Sequence, residues 1–250
     1  MTALERLELG ADRPVVFVGK LIGSKGVELL LAAWPLVLAR VPAARLVVVG
    51  FGGFRDGLEA LAGSLAAGDL EAAAGTRSET GAPLPGLSAF VESLEAGDAD
   101  AYRAAARALP DRILWAGRLD HGELHDLLPA MEAMVVPSTF PEAFGMVAAE
   151  AAACGVLPVV AAHSGLAEVA RTLAAAVPEP ARPLLSFEVG PEAVHQLARA
   201  VGDWLLASDE LRAATRAALV RTARERYSWD GVAQSVLAAG RGELGGLPLP

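Results

Sequence analysis

The stretch Val135–Glu150 reads Val-Val-Pro-Ser-Thr-Phe-Pro-Glu-Ala-Phe-Gly-Met-Val-Ala-Ala-Glu. Its opening continues a short apolar strand predicted at Ala133–Val136, two prolines then bracket a loop, and an alanine-rich helix is predicted from about Phe144. Two carboxylates, Glu142 and Glu150, are separated by seven residues. Since a helix rises about 1.5 Å per residue, the two lie at most roughly 12 Å apart.

The amides between these carboxylates are predicted to form an anion site. The N–H groups of Phe144, Gly145 and Met146 fall at the predicted helix start, where the first amides lack partners within the helix and anions bind. Gly145 has no side chain that would block the approach of a ligand.

The stretch resembles the Glu-x7-Glu signature of retaining glycosyltransferases with the GT-B fold, family 4 in particular. In that family Pro-Ser is followed by Glu-x-Phe-Gly and by a second Glu inside an alanine-rich helix, and each position is filled here. The resemblance covers about 14–239 and implies the C-terminal, donor-binding half of such an enzyme. It further implies that Glu142 binds hydroxyls of the donor sugar, that Glu150 binds the ribose hydroxyls, and that the anomeric configuration is retained.

Two lysines near the N-terminus are the predicted diphosphate ligands. In the family the first strand ends in Gly-Arg and a Lys-Gly follows, and the two cations grip the diphosphate; here Gly19 and Lys20 fill the first motif and Lys25 the second. Lysine keeps the charge of arginine but loses its bidentate fork. Ser24 is predicted to cap the helix at Val27–Ala39. Without the resemblance, a solvated surface lysine is the simpler interpretation of Lys25.

The resemblance also implies a nucleobase site after the third strand. Its backbone ligands would be Gly117, Arg118 and Leu119, although Arg118 equally suits a surface position. Further along, His163–Val169 resembles the family's Gly-Gly-x-x-Glu loop, with Ser164 in place of the first glycine.

Other cofactor and metal sites find little support. The loop at Gly50–Gly53 does not continue as Gly-x-Gly-x-x-Gly, because Arg55 stands in the last place, so nicotinamide binding is disfavoured. His121 and His125 have the spacing of metal ligands, but no third ligand lies near them in sequence. We expect no cofactor and no metal, because the two lysines can replace a divalent cation beside the diphosphate.

Short apolar runs and helical periodicity predict an α/β fold. It is a Rossmann-like three-layer α/β/α domain covering 1–250 with a parallel sheet of about six strands, at Arg13–Val18, Pro42–Gly50, Arg112–Leu119, Ala133–Val136, Gly155–Ala162 and Leu184–Phe187. Helices are predicted at Val27–Ala39, Glu123–Met131, Glu192–Ala207 and Glu210–Arg226, with a last helix at about 228–240 capped by Ser228.

The segment at about 54–112 is predicted to be an insertion. It is longer than the connection that the resemblance implies, and it carries 10 acidic residues and 5 arginines. Helices are predicted at Gly57–Ala67 and Asp98–Ala108, with a short one near Ser88–Leu94. A solvated decoration is the preferred interpretation, and contact with an acceptor is the alternative.

Composition limits the class of protein. With 53% hydrophobic residues and a formal charge of −9, the chain can bury a core and is not a general nucleic-acid binder. Its one cysteine and the lack of an N-terminal leader or a long apolar run predict a cytoplasmic protein.

Two functions of different class remain open. The first is the nucleotide-sugar-binding half of a hexosyltransferase, which is inactive without an N-terminal acceptor domain; any membrane contact would belong to that absent half. The second is a non-catalytic α/β nucleotide-binding or scaffold module. The Glu142–Glu150 motif favours the first, whereas Lys20 in place of arginine favours the second.

Overall fold

A computed structural model describes residues 3–8, 10–94, 96–243 and 245. It contains six strands in one sheet of order β3-β2-β1-β4-β5-β6, and every paired strand is parallel. The predicted Rossmann-like α/β fold is therefore confirmed. The strands are β1 (Arg13–Val18), β2 (Ala44–Val49), β3 (Ile113–Gly117), β4 (Ala133–Val136), β5 (Leu157–Ala161) and β6 (Ser186–Phe187).

The strands form a parallel sheet because their side chains are buried on both faces. Val15, Val16, Val47 and Val159 are fully buried, as expected for a sheet covered by helices on either side. β1 and β4 are adjacent, and the chain leaves them toward opposite edges of the sheet. A crevice therefore opens at their carboxyl ends, which is where α/β sheets bind ligands.

Two helical layers cover the sheet. One contains α1, α2, α4, α5 and α10, and the other contains α8, α9 and α11. The helices are α1 (Val27–Arg40), α2 (Arg55–Ala67), α3 (Leu70–Ala74), α4 (Pro85–Ser93), α5 (Ala96–Ala106), α6 (Leu109–Arg112), α7 (His121–Leu127), α8 (Met146–Ala153), α9 (Ser164–Ala176), α10 (Ala193–Leu205), α11 (Asp209–Tyr227) and α12 (Trp229–Gly240).

The segment at 54–112 is part of the first helical layer. Leu58, Phe90 and Tyr102 are buried in the common core, and the Tyr102 hydroxyl donates to the Ala32 carbonyl of α1 at 2.8 Å. The preference for a solvated decoration was therefore wrong. Periodicity predicted helices in the regions of α2, α4 and α5, whereas α3 and α6 are too short to show a period.

The predicted cap of α1 was also wrong. Gly23–Lys25 forms a 3-10 turn instead, and Gly26 precedes the helix with φ +66°. A Cβ on Gly26 would lie 1.9 Å from the Pro137 carbonyl oxygen, and the Thr139 amide donates to the Ser24 carbonyl at 3.0 Å. The loops after β1 and β4 thus contact each other directly, backbone to backbone.

The last helix, α12, exposes an apolar surface. Trp229 is 88% exposed, and Val236 and Leu237 are more than half exposed. In the part of the chain that the structure describes, no helix is both long and apolar enough to cross a bilayer.

Candidate functional site

Lys25 and Glu142 form an ion pair at the carboxyl ends of β1 and β4. The Lys25 ammonium donates to a Glu142 carboxylate oxygen, and the two side chains are 28% and 25% exposed. The Ser138 hydroxyl donates to the same oxygen at 2.5 Å. These residues are 117 positions apart in the chain, and the adjacency of β1 and β4 brings them together.

Glu142 is held as a carboxylate. Partial burial raises the pKa of Glu142, but the hydrogen bonds from Lys25 and Ser138, together with the charges of Lys25 and His163, outweigh burial and leave that pKa below its usual value. At neutral pH the group therefore only accepts hydrogen bonds, which suits a ligand that presents hydroxyl donors.

The loop after β5 fixes the backbone of Glu142. The Glu142 amide donates to the Ser164 hydroxyl at 2.9 Å, and the Gly165 amide donates to the Glu142 carbonyl at 3.0 Å. His163 Nε2 lies 2.7 Å from the Ser138 carbonyl oxygen, and since a carbonyl only accepts, Nε2 carries the proton. The sequence showed this loop only as a variant glycine motif, and did not indicate that it supports Glu142.

The amides at the start of α8 are available to a ligand. The helix begins at Met146, two residues later than predicted, because Gly145 precedes it with φ +82°. Within the described part of the chain, the amides of Phe144, Gly145 and Met146 donate to no backbone or side-chain acceptor. Gly145 is required by its φ and by Leu166, whose Cδ2 would lie 2.8 Å from a Cβ at this position.

Glu150 lies one turn into α8 and is exposed. It lines a cleft of about 570 Å³ together with Phe144, Met146, Tyr227 and Trp229. The Phe144 ring packs edge-on against Tyr227, with centroids 5.6 Å apart. The lining of this cleft shares Phe144 and Met146 with the amide site, but it includes neither Lys25 nor Glu142.

Lys20 follows β1 and is exposed. Among the described residues it forms no ion pair, so its ammonium is available to a ligand. Its neighbour Gly19 is fixed, because the Gly19 amide donates to the Val49 carbonyl at 3.1 Å, and a Cβ on Gly50 would lie 1.9 Å from the Gly19 carbonyl oxygen.

The predicted nucleobase ligands lie beside an exposed aromatic ring. Gly117 has φ +75°, and its carbonyl accepts from the Gly50 amide at 2.8 Å. The Arg118 guanidinium lies 5.4 Å from the centroid of Phe51, which is 53% exposed. Leu119 packs against the core. Phe51 was not among the predicted site residues, although an aromatic residue in a glycine-rich loop at a strand end is a usable signal.

No metal site emerges from the described residues, since no three histidine, cysteine or carboxylate side chains converge there. The His125 imidazole instead contacts Asp126, and both are exposed. Asp98 and Asp100 have the Asp-x-Asp spacing of some metal-binding motifs, but they lie on helix α5 of the inserted segment, where Asp100 pairs with Arg103.

Sequence comparison finds the family "Glycosyl transferases group 1" matching residues 99–225, just over half of the chain. A D-inositol 3-phosphate glycosyltransferase of Segniliparus rotundus is 31% identical over 98% of this chain and 44% of its own length. An uncharacterized glycosyltransferase of Methanocaldococcus jannaschii is 25% identical over 90% of this chain and 44% of its own length. The chain thus spans less than half the length of these curated relatives.

Structure comparison finds the same fold in proteins of low sequence identity. Anabaena Alr3699/HepE, solved in complex with UDP and glucose, matches 96% of this chain and 51% of its own with a TM-score of 0.61 and 18% identity. The C-terminal domain of a glycosyl transferase group 1 family protein (LpcC) from Francisella tularensis matches 86% of each chain with a TM-score of 0.56 and 18% identity.

Proposed function

We propose that the chain, which belongs to the glycosyl transferases group 1 family, binds a nucleoside-diphosphate sugar. It would form the donor half of a retaining hexosyltransferase of family 4. The observation that carries this proposal is the Lys25–Glu142 pair beside the free amides that begin α8. Two of the relatives support it by name, one as a sugar transferase and one as a protein bound to UDP and glucose.

Lys25 can serve a phosphate and Glu142 at the same time. An ammonium has three N–H donors, and Glu142 uses one of them. The remaining donors, the Lys20 ammonium and the amides of Gly145 and Met146 would neutralise charge on the diphosphate. That charge grows as the bond to the sugar breaks, so these groups would bind the transition state more tightly than the donor.

The two glutamates would bind the two ends of the donor. Glu142, kept ionised by Lys25 and Ser138, has lone pairs left to accept hydrogen bonds from sugar hydroxyls. Glu150, on the exposed side of α8, would accept from both ribose hydroxyls. Gly19, Gly117, Arg118 and Leu119 would complete the nucleotide site. Retention then needs no protein nucleophile if the acceptor hydroxyl attacks from the face that the leaving group vacates.

Metal independence is part of the proposal. Lys20, Lys25 and the amides supply the positive potential that a divalent cation supplies in other transferases. Nucleotide affinity should therefore be the same with magnesium and with a chelator. A requirement for magnesium would contradict this part of the proposal without affecting the rest.

An N-terminal half is proposed to complete the enzyme. The chain covers less than half of its relatives, and the exposed apolar surface of α12 suits contact with another domain. That half would bind the acceptor and make any membrane contact. The chain alone should transfer no sugar, and turnover without a partner would contradict this prediction. A cytoplasmic location stays a prediction.

Calorimetric titration with UDP, GDP and ADP tests the proposal. We expect one nucleotide to bind in the micromolar to millimolar range, and binding to be lost in Lys25→Ala and in Glu150→Ala. Glu210→Ala, which removes an exposed acid of α11, is the matched control and should bind as the unaltered chain does. If none of the three nucleotides binds, the scaffold function, which the lysine at position 20 favours, replaces the donor-site function.

A further inference from the structure

A second cavity, of about 740 Å³, lies between the inserted segment and the start of α1. We call it the insertion pocket. Its polar lining consists of two carboxylates and four hydroxyls, from Ser24, Glu28, Ser78, Glu79, Thr80 and Thr139. Prolines and aliphatic side chains line the remainder, and the lining contains no lysine, arginine or histidine.

Glu28 is a buried carboxylate in the wall of this pocket. The residue is 3% exposed, and within the described residues its Oε2 has no hydrogen-bond partner. Burial raises the pKa of Glu28 to about 7; its own backbone amide opposes this shift and the charge of Glu79 adds to it. A buried acceptor without a donor is costly. Glu28 therefore lines the pocket as a nearly buried carboxylate with one unpaired oxygen.

Glu79 supplies the second carboxylate of the lining. One of its oxygens accepts from the Gly23 amide at 2.8 Å, which orients an otherwise exposed side chain. The hairpin that carries Glu79 is itself ordered, because the Ser78 hydroxyl accepts from the amides of Thr80 and Ala82. The pocket lining therefore combines two carboxylates with hydroxyl acceptors.

We propose that the insertion pocket binds a small organic ammonium that carries hydroxyl groups. The ammonium lies against Glu28 and Glu79, where it balances the charges of the two carboxylates. The ligand hydroxyls meet the hydroxyl-bearing wall at Ser24 and Thr139. The lining of this pocket includes none of Lys25, Glu142 or Glu150, which form the proposed donor site.

A pair of probes that differ in one group tests this proposal. 1-Amino-1-deoxysorbitol and sorbitol have the same carbon chain, and a primary amine, like that of lysine, is charged at neutral pH. Titration into the isotopically labelled full chain, followed by NMR, should show the amine binding at least tenfold more tightly than sorbitol. Equal affinity of the two probes would overturn the proposal.

Substitutions locate the binding. Glu28→Gln and Glu79→Gln should each weaken the amine at least fivefold, whereas Glu92→Gln, which removes an exposed acid of the same inserted segment, should leave its affinity unchanged. Thermal unfolding checks that each variant folds. If Glu28→Gln does not fold, the affinity of Glu79→Gln for the amine tests the proposal, because Glu79 is exposed. An amine that binds Glu79→Gln as tightly as the unaltered chain overturns the proposal. UDP titration of the same samples measures the donor site separately, so a failure of amine binding can be distinguished from a failure of nucleotide binding.

Discussion

Ser164 is the residue at which the site carries backbone strain. Within the described part of the chain, Ser164 is the residue other than glycine that has a positive φ, of +51°. Such a backbone conformation costs about 1–2 kcal/mol. The strain is offset locally, since the Ser164 hydroxyl accepts from the Glu142 amide. Ser164 therefore adopts a strained backbone conformation in which its hydroxyl can hold the Glu142 backbone in place.

Two substitutions at Ser164 separate the backbone strain from the hydrogen bond to Glu142. Ser164→Ala keeps the strain and loses the hydrogen bond, so it should lower the free energy of unfolding by about 1–2 kcal/mol. Ser164→Gly loses the same bond but relieves the strain, and should be more stable than the alanine variant by about 1 kcal/mol. Urea unfolding measures both. An alanine variant as stable as the glycine variant would show that φ is unstrained.

Glu28 makes stability depend on pH. Its pKa is raised by burial from the ordinary value of 4.5 to about 7 in the folded chain. The folded state therefore binds more protons between these values, and its stability falls as pH rises through that window. Since one pKa unit corresponds to about 1.4 kcal/mol, the loss is up to about 3 kcal/mol. The negative charge of Glu79 adds to the rise in the pKa of Glu28.

Glu28→Gln should remove this dependence. At pH 8 the glutamine variant should gain stability relative to the unaltered chain, and at pH 5 the difference should shrink or reverse. Thermal unfolding at the two pH values measures it, with Glu92→Gln as the exposed control. A difference between Glu28→Gln and the unaltered chain that is the same at both pH values would contradict the assignment of the pKa.

At the scale of elements, the contact between the loops after β1 and β4 depends on Gly26. This glycine combines φ +66° with a position where a Cβ would lie 1.9 Å from the Pro137 carbonyl oxygen. Because both atoms of the clash are close to the backbone, a side chain cannot turn away. The loops would have to separate, and with them Lys25 and Glu142.

Gly26→Ala should therefore lower the free energy of unfolding by more than about 2 kcal/mol and abolish nucleotide binding. Gly63→Ala is the matched control, because Gly63 lies inside α2 with nothing within 4 Å of its Cβ position. That control should gain up to about 1 kcal/mol, as alanine favours a helix. Chemical unfolding and UDP titration test both variants.

For the whole molecule, we expect the exposed surface of α12 to contribute to association with another domain and not to the stability of this chain. Trp229 is 88% exposed, so Trp229→Ala should leave the stability of this chain nearly unchanged. With the proposed N-terminal half added as a separate polypeptide, the same substitution should weaken association at least tenfold. Sedimentation measures the association. Loss of stability in the chain alone would show instead that Trp229 packs on its own domain.

The sequence by itself determined the strands, most helices, and the residue types of the site. Apolar runs predict all six strands, because burial on both faces leaves a local trace in composition. The motif around Glu142 and Glu150 and the Lys25-Gly26 pair were likewise readable, since each is contiguous.

Only the tertiary structure decided which of these residues meet. Lys25 and Glu142 are 117 residues apart, and they pair because β1 and β4 are neighbours in the sheet. The burial of Glu28 and the contact of Glu79 with Gly23 depend in the same way on how the inserted helices pack on α1. Periodicity describes one element at a time, whereas contacts between elements arise from the order of the strands and the packing of the layers.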